Sequence, residues 1–179
     1  PYAFHTIGSI IAVNQRHYCQ ARGFPKRSGG EDFYLLNKLC KLGDIARLKP
    51  SILLEARVSH RVPFGTGPAT AKILQALAAE EVITTYNPAL FDQLASTING
   101  LTNAIERGEI LTDTLASLPI QSQQALSSMD IDKCFSHLAN RDDRAWRLRH
   151  FHDWFDAFRT LKFVRFLQAN HFPNVPIAY

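Results

Sequence analysis

From about residue 68 onward, the apolar residues of this chain recur every three to four positions, and little there alternates with the two-residue period of a strand. That pattern restricts more than half of the chain to helices packed on helices. Segments of this kind run from about Ala69 to Glu81 and from about Pro88 to Arg107, with Gly108 as the stop of the second. Shorter ones follow near 112–118, 120–128 and 130–139. Asp142 or Asp143 then opens a long helix to about Asn170. Its stripe of Phe151, Trp154, Phe155, Phe158, Leu161 and Phe166 lies opposite Arg149, His152, Asp153, Arg159, Lys162 and Arg165. Such a stripe is more often a core-packing face than a membrane-contact face, although the basic opposite side suits peripheral membrane contact.

The first 67 residues have a different texture. Gly8 to Val13 is short and β-branched, as in a buried strand. Asn14 caps a short helix to about Ala21, which Gly23 ends. A loop from Pro25 to Gly30 precedes a helix from Glu31 to Leu42. Its leucines at 35, 36, 39 and 42 share a face, and Gly43 stops it. Ile45–Leu48 and Ile52–Val58 read as further strands around Lys49-Pro50, and 59–67 as a glycine-containing loop. The expected class is therefore α/β: a partial mixed sheet with helices over 1–67, then an all-α extension over 68–179.

Hydrophobic residues are 46% of the chain and charged residues 20%, enough for a sizeable core and against wholesale disorder. The formal net charge of +4 fits a phosphate-bearing substrate or an anionic membrane surface. No Lys/Arg block points to nucleic acid. Cys19, Cys40 and Cys134 are widely spaced and form no C-x-x-C pair, which indicates neither a zinc site nor a disulfide framework. Reduced thiols fit a cytoplasmic location, at the inner face of a membrane if the basic helix touches lipid. There is no run of 18 apolar residues and no signal peptide in the sequence. The chain opens at Pro1 and enters the Ile7–Val13 segment almost at once, so sequence upstream of Pro1 is expected.

The chemistry-bearing stretch runs from Arg22-Gly23-Phe24 to Gly43. A small-residue strand at 8–13, a helix carrying Arg16, then Gly23-Phe24 and Gly30-Glu31-Asp32-Phe33 lead into Leu36-x-x-Leu39-x-x-x-Gly43. This ordered set resembles the C-terminal half of the catalytic domain of family 2 glycosyltransferases, which have the GT-A fold. Lys38 stands where that family often has Arg. The resemblance covers roughly the first 67 residues.

The resemblance implies transfer of a sugar from a nucleotide-sugar donor to an acceptor hydroxyl, lipid-linked in many members. It makes Asp32 the base that deprotonates the acceptor and Glu31 its positioning neighbour. Chemically, such a transfer needs a base beside the attacking oxygen, and backbone N–H groups hold a carboxylate in place at a helix start. Without the flanking pattern, Glu31 and Asp32 would be only favourable first-turn residues. In this fold class a later loop covers the diphosphate and a divalent metal, Mg or Mn. Here that loop is Arg57-Val58-Ser59-His60-Arg61, with His60 as metal ligand, and with Arg57, Arg61 and the Gly30 backbone as diphosphate-binding groups. The Asp-x-Asp metal motif of the donor half is absent from residues 1–67. Asp130-Ile131-Asp132 lies in the helical extension and is not assigned that role. The fragment alone is expected to be inactive. Alternatives from other classes are a non-catalytic helical interaction or membrane-surface module, and a degenerate transferase that binds without turnover. The remaining histidines, among them His137, His150 and His152, show no ligand spacing on their helices.

Overall fold

A computed structural model describes residues 11–46, 49, 53 and 65–177. Among them the chain is mainly helical, with one two-stranded ladder pairing β1 (Thr84–Thr85) and β2 (Val175–Pro176). It divides into two compact units, one of Thr84–Val175 and one of the chain up to Ile83 together with Pro176 onward.

In the unit preceding Thr84, α1 (Gln15–Gln20) starts where expected: Asn14 Oδ1 accepts the His17 N–H at 2.9 Å. It ends in a left-handed pair, Arg22 and Gly23. α2 (Glu31–Leu39) buries Leu35, Leu36 and Leu39 against Ala21, with Ile11 packed alongside. The expected helix to Leu42 stops a turn early. Leu42 is exposed and gains nothing by extending it, and the residues after Leu39 fold into a turn closed by Leu42 N–H and Gly43 N–H to the Leu39 carbonyl. The strand expected at Gly8–Val13 is irregular over its described residues, Ile11–Val13, and Ile45–Ala46 of the next expected strand is irregular too. An extended segment becomes a strand only when a neighbour takes up its hydrogen bonds, and none does so for these residues among those described. The remainder of those segments, Ile52–Val58 included except for Leu53, lies outside the described residues. α3 (Thr66–Ala78) leaves Ile73, Leu74 and Leu77 exposed.

The other unit is a helical bundle. α4 (Ala89–Arg107) runs through it and packs on α5 (Leu111–Ser117), α6 (Ile120–Ser127), α8 (Arg144–Trp154) and α9 (Ala157–Asn170). α7 (Ile131–Ala139) packs on α6 and α8. Leu90, Leu101 and Ile105 of α4 meet Leu126, Ile131, Leu138, Phe151, Phe163 and Leu167 in one apolar core. Gly108, left-handed at φ 71°, ends α4, and the Arg144 guanidinium lies over it.

The single long helix expected from Asp142 or Asp143 to Asn170 is two helices. Asp143 caps α8 by accepting the Trp146 N–H at 2.9 Å. Phe155 leaves helical geometry (ψ 56°), and the buried Asp156 caps α9 by accepting the Arg159 N–H at 3.1 Å. The break turns Phe155 into the core beside Phe151 and Phe163, with Phe155–Phe163 ring centres 5.9 Å apart. Phe151 and Phe155 of the expected stripe are therefore core residues, while Trp154, Phe158, Leu161 and Phe166 are half-buried. Among the described residues, no helix is long and apolar enough to cross a membrane.

A polar ring sits inside this apolar packing. Gln93 Nε2 donates to Ser122 Oγ at 2.6 Å, and Thr97 Oγ1 donates to the Gln93 carbonyl at 2.8 Å. Thr97 has then spent its only proton, so Ser122 is the donor in the 2.7 Å Ser122–Thr97 contact. The circuit closes, satisfying two hydroxyls that are fully buried between α4 and α6. Thr97→Val should cost about 1–3 kcal/mol in denaturant unfolding, because it strands the Ser122 hydroxyl. Adding Ser122→Ala should recover part of that loss, and strictly additive losses in the double variant would contradict the closed circuit.

His152 of α8 contributes a second dependence. Burial lowers its pKa, outweighing the opposing pull of Asp153 and Glu106, and its Nδ1 has no hydrogen-bond partner among the described residues. The folded state thus binds this proton less readily than the unfolded chain. His152 contributes full stability above its unfolded pKa of about 6.5, and that contribution is lost as pH falls through the lowered folded value. Unfolding midpoints should drop on the acid side of this range, and His152→Gln should flatten that part of the profile.

Candidate functional site

The Glu31–Asp32 pair is built by three local devices. Gly30 adopts a left-handed conformation (φ 71°, ψ 12°), and its carbonyl accepts the Tyr34 N–H at 3.1 Å, so α2 begins abruptly at Glu31. The φ alone favours glycine there, because an added Cβ would meet nothing within 4 Å. Asp32 lies one and two turns above Leu36 and Leu39 on the face that packs inward. That register leaves Asp32 half-buried, while Glu31 is exposed. Asp32 Oδ1 accepts the Phe33 N–H at 2.7 Å, which turns the carboxylate back over the helix start. Oδ2 carries no hydrogen bond among the described residues.

The surrounding loop is tied down from both sides. Lys38 Nζ donates to the Ala21 carbonyl at 3.1 Å and so joins α2 to the end of α1. Arg27 places its guanidinium 3.9 Å from the centre of the Tyr34 ring, and Phe33 meets Tyr34 edge-on. Tyr18 packs edge-on against Phe24, and a Cβ on Gly23 would come within 3.0 Å of the Tyr18 hydroxyl. Gly23 also has φ 64°, so both backbone and space call for glycine. The Tyr18–Phe24 pair and the Arg27–Tyr34–Phe33 group are thus separate, partly exposed contacts that flank the turn and the start of α2.

Of the expected site residues, Gly30, Glu31 and Asp32 are thus contiguous on one helix start. Arg57, His60 and Arg61 lie outside the described residues, and with them the expected divalent-metal position. Among the described residues, no group of three or more His, Cys, Asp or Glu side chains converges as a metal site. Asp130 occupies the N-cap position of α7 in a left-handed conformation without a side-chain cap hydrogen bond and pairs with Lys133 at 3.1 Å, while Ile131 between the two aspartates is fully buried. That segment is a helix start. Cys134 is buried, which pushes its thiol up to about 12 and removes it as a nucleophile.

The tertiary structure also assembles one cluster that the sequence does not display. His137 of α7 and His150 of α8 lie with ring centres 5.4 Å apart, beside Trp146. Twelve residues and a helix change separate the two histidines, so no periodicity within one helix reveals the pair.

No protein family, curated protein or solved structure matches the chain.

The two glycines make a directional test of the site. Gly30→Ala should cost about 1 kcal/mol, the conformational penalty alone. Gly23→Ala carries the same penalty plus displacement of the Tyr18 ring, so it should be the more destabilising of the two in thermal unfolding. The reverse order would mean that Gly30 is more tightly packed than described.

Proposed function

We propose that this chain forms the acceptor side of a nucleotide-sugar-dependent glycosyltransferase of the family 2, GT-A type, with Asp32 as the base. The observation that carries this reading is the placement of Asp32 on the first turn of α2. It directly follows a left-handed glycine, and its own helix is anchored by Leu35, Leu36 and Leu39. A base must be held within hydrogen-bond reach of the proton it removes. An anchored helix start does this better than a free loop. The order of motifs from Gly23-Phe24 through Gly30-Glu31-Asp32 to Leu36-x-x-Leu39 supports the same reading.

In the proposed reaction Asp32 Oδ2 takes the acceptor hydroxyl proton as that oxygen attacks the anomeric carbon. The bond from that carbon to the diphosphate oxygen breaks, and the nucleoside diphosphate departs with its electron pair. A divalent ion, Mg or Mn, with His60, Arg57 and Arg61 would neutralise the leaving charge. Glu31 is assigned to positioning the acceptor. The partial GT-A sheet, a lipid-linked acceptor and membrane proximity belong to the same proposal.

Asp32→Asn separates chemistry from structure, because the amide oxygen can still accept the Phe33 N–H. In the full-length protein carrying the donor half, turnover of nucleotide sugar should fall by about 10²–10⁴-fold with the melting temperature nearly unchanged. Glu31→Gln should cost less. Near-normal turnover by a folded Asp32→Asn protein would remove Asp32 from the mechanism.

A further inference from the structure

The turn between α7 and α8 that carries the His137–His150 cluster is held by side-chain hydrogen bonds. Arg147 Nε donates to the Leu138 carbonyl at 3.0 Å and to the Arg141 carbonyl at 2.7 Å, which pins the turn between the helices. Asp143 caps the start of α8. On this frame His137 is exposed and His150 is half-buried. Trp146 stacks on His150 with ring centres 3.8 Å apart and lies 5.1 Å from His137.

The tautomer of His150 follows from its partner. Its Nδ1 lies 2.8 Å from the Trp146 carbonyl, which can only accept, so Nδ1 carries the proton. In the neutral ring the lone pair is then on Nε2. A backbone carbonyl holding one ring nitrogen while the other is left with its lone pair is how metal-binding histidines are oriented. The His137 ring makes no hydrogen bond among the described residues, whereas its backbone carbonyl accepts the Asn140 N–H.

The separation fits a shared ion. Metal–imidazole bonds of about 2 Å put an ion roughly 3.2 Å from each ring centre, and two such rings at near-tetrahedral angles are roughly 5 Å apart. The observed 5.4 Å is close to that spacing, and the exposed His137 ring is the one that would turn toward the ion. Arg141, whose guanidinium lies 5.6 Å from the Trp146 ring centre, pairs with Asp143 at 3.1 Å, and Arg147 lies 3.7 Å from the exposed Asp142, so both flanking cations have a carboxylate beside them.

We propose that His137 and His150 form a two-imidazole site for a late transition-metal divalent ion such as Zn²⁺, with water or an external donor completing the coordination. Trp146 is the wall that keeps His150 in place. The site uses none of the residues assigned to the Mg or Mn position, and it does not depend on the proposed transferase chemistry.

Zinc chloride titrated into the full chain in a non-coordinating buffer, followed by calorimetry and by histidine ring NMR signals, tests this. The expected result is saturable binding that perturbs His137 and His150. Affinity should fall at least tenfold in His137→Ala and in His150→Ala, and Cu²⁺ should bind more tightly than Zn²⁺. His60→Ala should leave this binding intact. His137 is exposed, so its replacement should read out binding with a melting temperature close to that of the unsubstituted protein. Unchanged affinity in the doubly substituted protein, loss of binding on His60→Ala alone, or no saturation by about 1 mM Zn²⁺ would each overturn the proposal.

Discussion

The bundle unit is organised by the burial of α4, a 19-residue helix contacted by α5, α6, α8 and α9. Its leucines and isoleucine supply the apolar centre, and its Thr97 supplies the polar contact that orients α6. Apolar packing is tolerant of small rotations and slides between helices. A closed hydrogen-bond circuit is not, because moving either helix leaves a buried hydroxyl without a partner. The ring of Gln93, Thr97 and Ser122 therefore sets the register of α4 and α6 within a core that hydrophobic contact alone would leave less defined.

The same balance operates at the α8–α9 break. Continuing one helix through Phe155 would keep a few more backbone hydrogen bonds. Breaking it places Phe155 at 1% exposure beside Phe163, and Asp156 recovers an orphaned amide by capping α9. Burying a phenylalanine side chain contributes about 1.5–3 kcal/mol. That burial, together with the Asp156 cap, offsets hydrogen bonds lost at the break.

In the other unit, the candidate base depends on a much smaller cluster. Leu35, Leu36, Leu39 and Ala21 are its buried members, and Lys38 adds a hydrogen bond between its two helices. The left-handed Gly30 sets where α2 begins, and the leucine register sets which way Asp32 faces. The site is thus positioned by a glycine conformation and an apolar row, with the Phe33 N–H orienting the carboxylate. This also explains why Asp32 and Glu31, although adjacent, differ in exposure: successive helical residues diverge by about 100°.

Much of this was written locally. Asn14, Gly23, Gly30 and Gly108 mark helix ends because each meets a conformational or hydrogen-bonding need within a few residues, and the helices at 89–107, 111–117, 120–127 and 131–139 follow from apolar periodicity. The Gly30-Glu31-Asp32 helix start was legible for the same reason. What the sequence could not show is whatever depends on partners distant along the chain. The apolar segment at Ile11–Val13 looks like a strand, but pairing requires a neighbour that no local pattern supplies. Asp156 was concealed inside a continuous helical stripe, since its capping role appears only when the core draws Phe155 inward. The meeting of His137 with His150 was decided by the packing of α7 on α8. Local backbone preferences act over a single turn and can be read residue by residue, whereas burial is a property of the assembled chain.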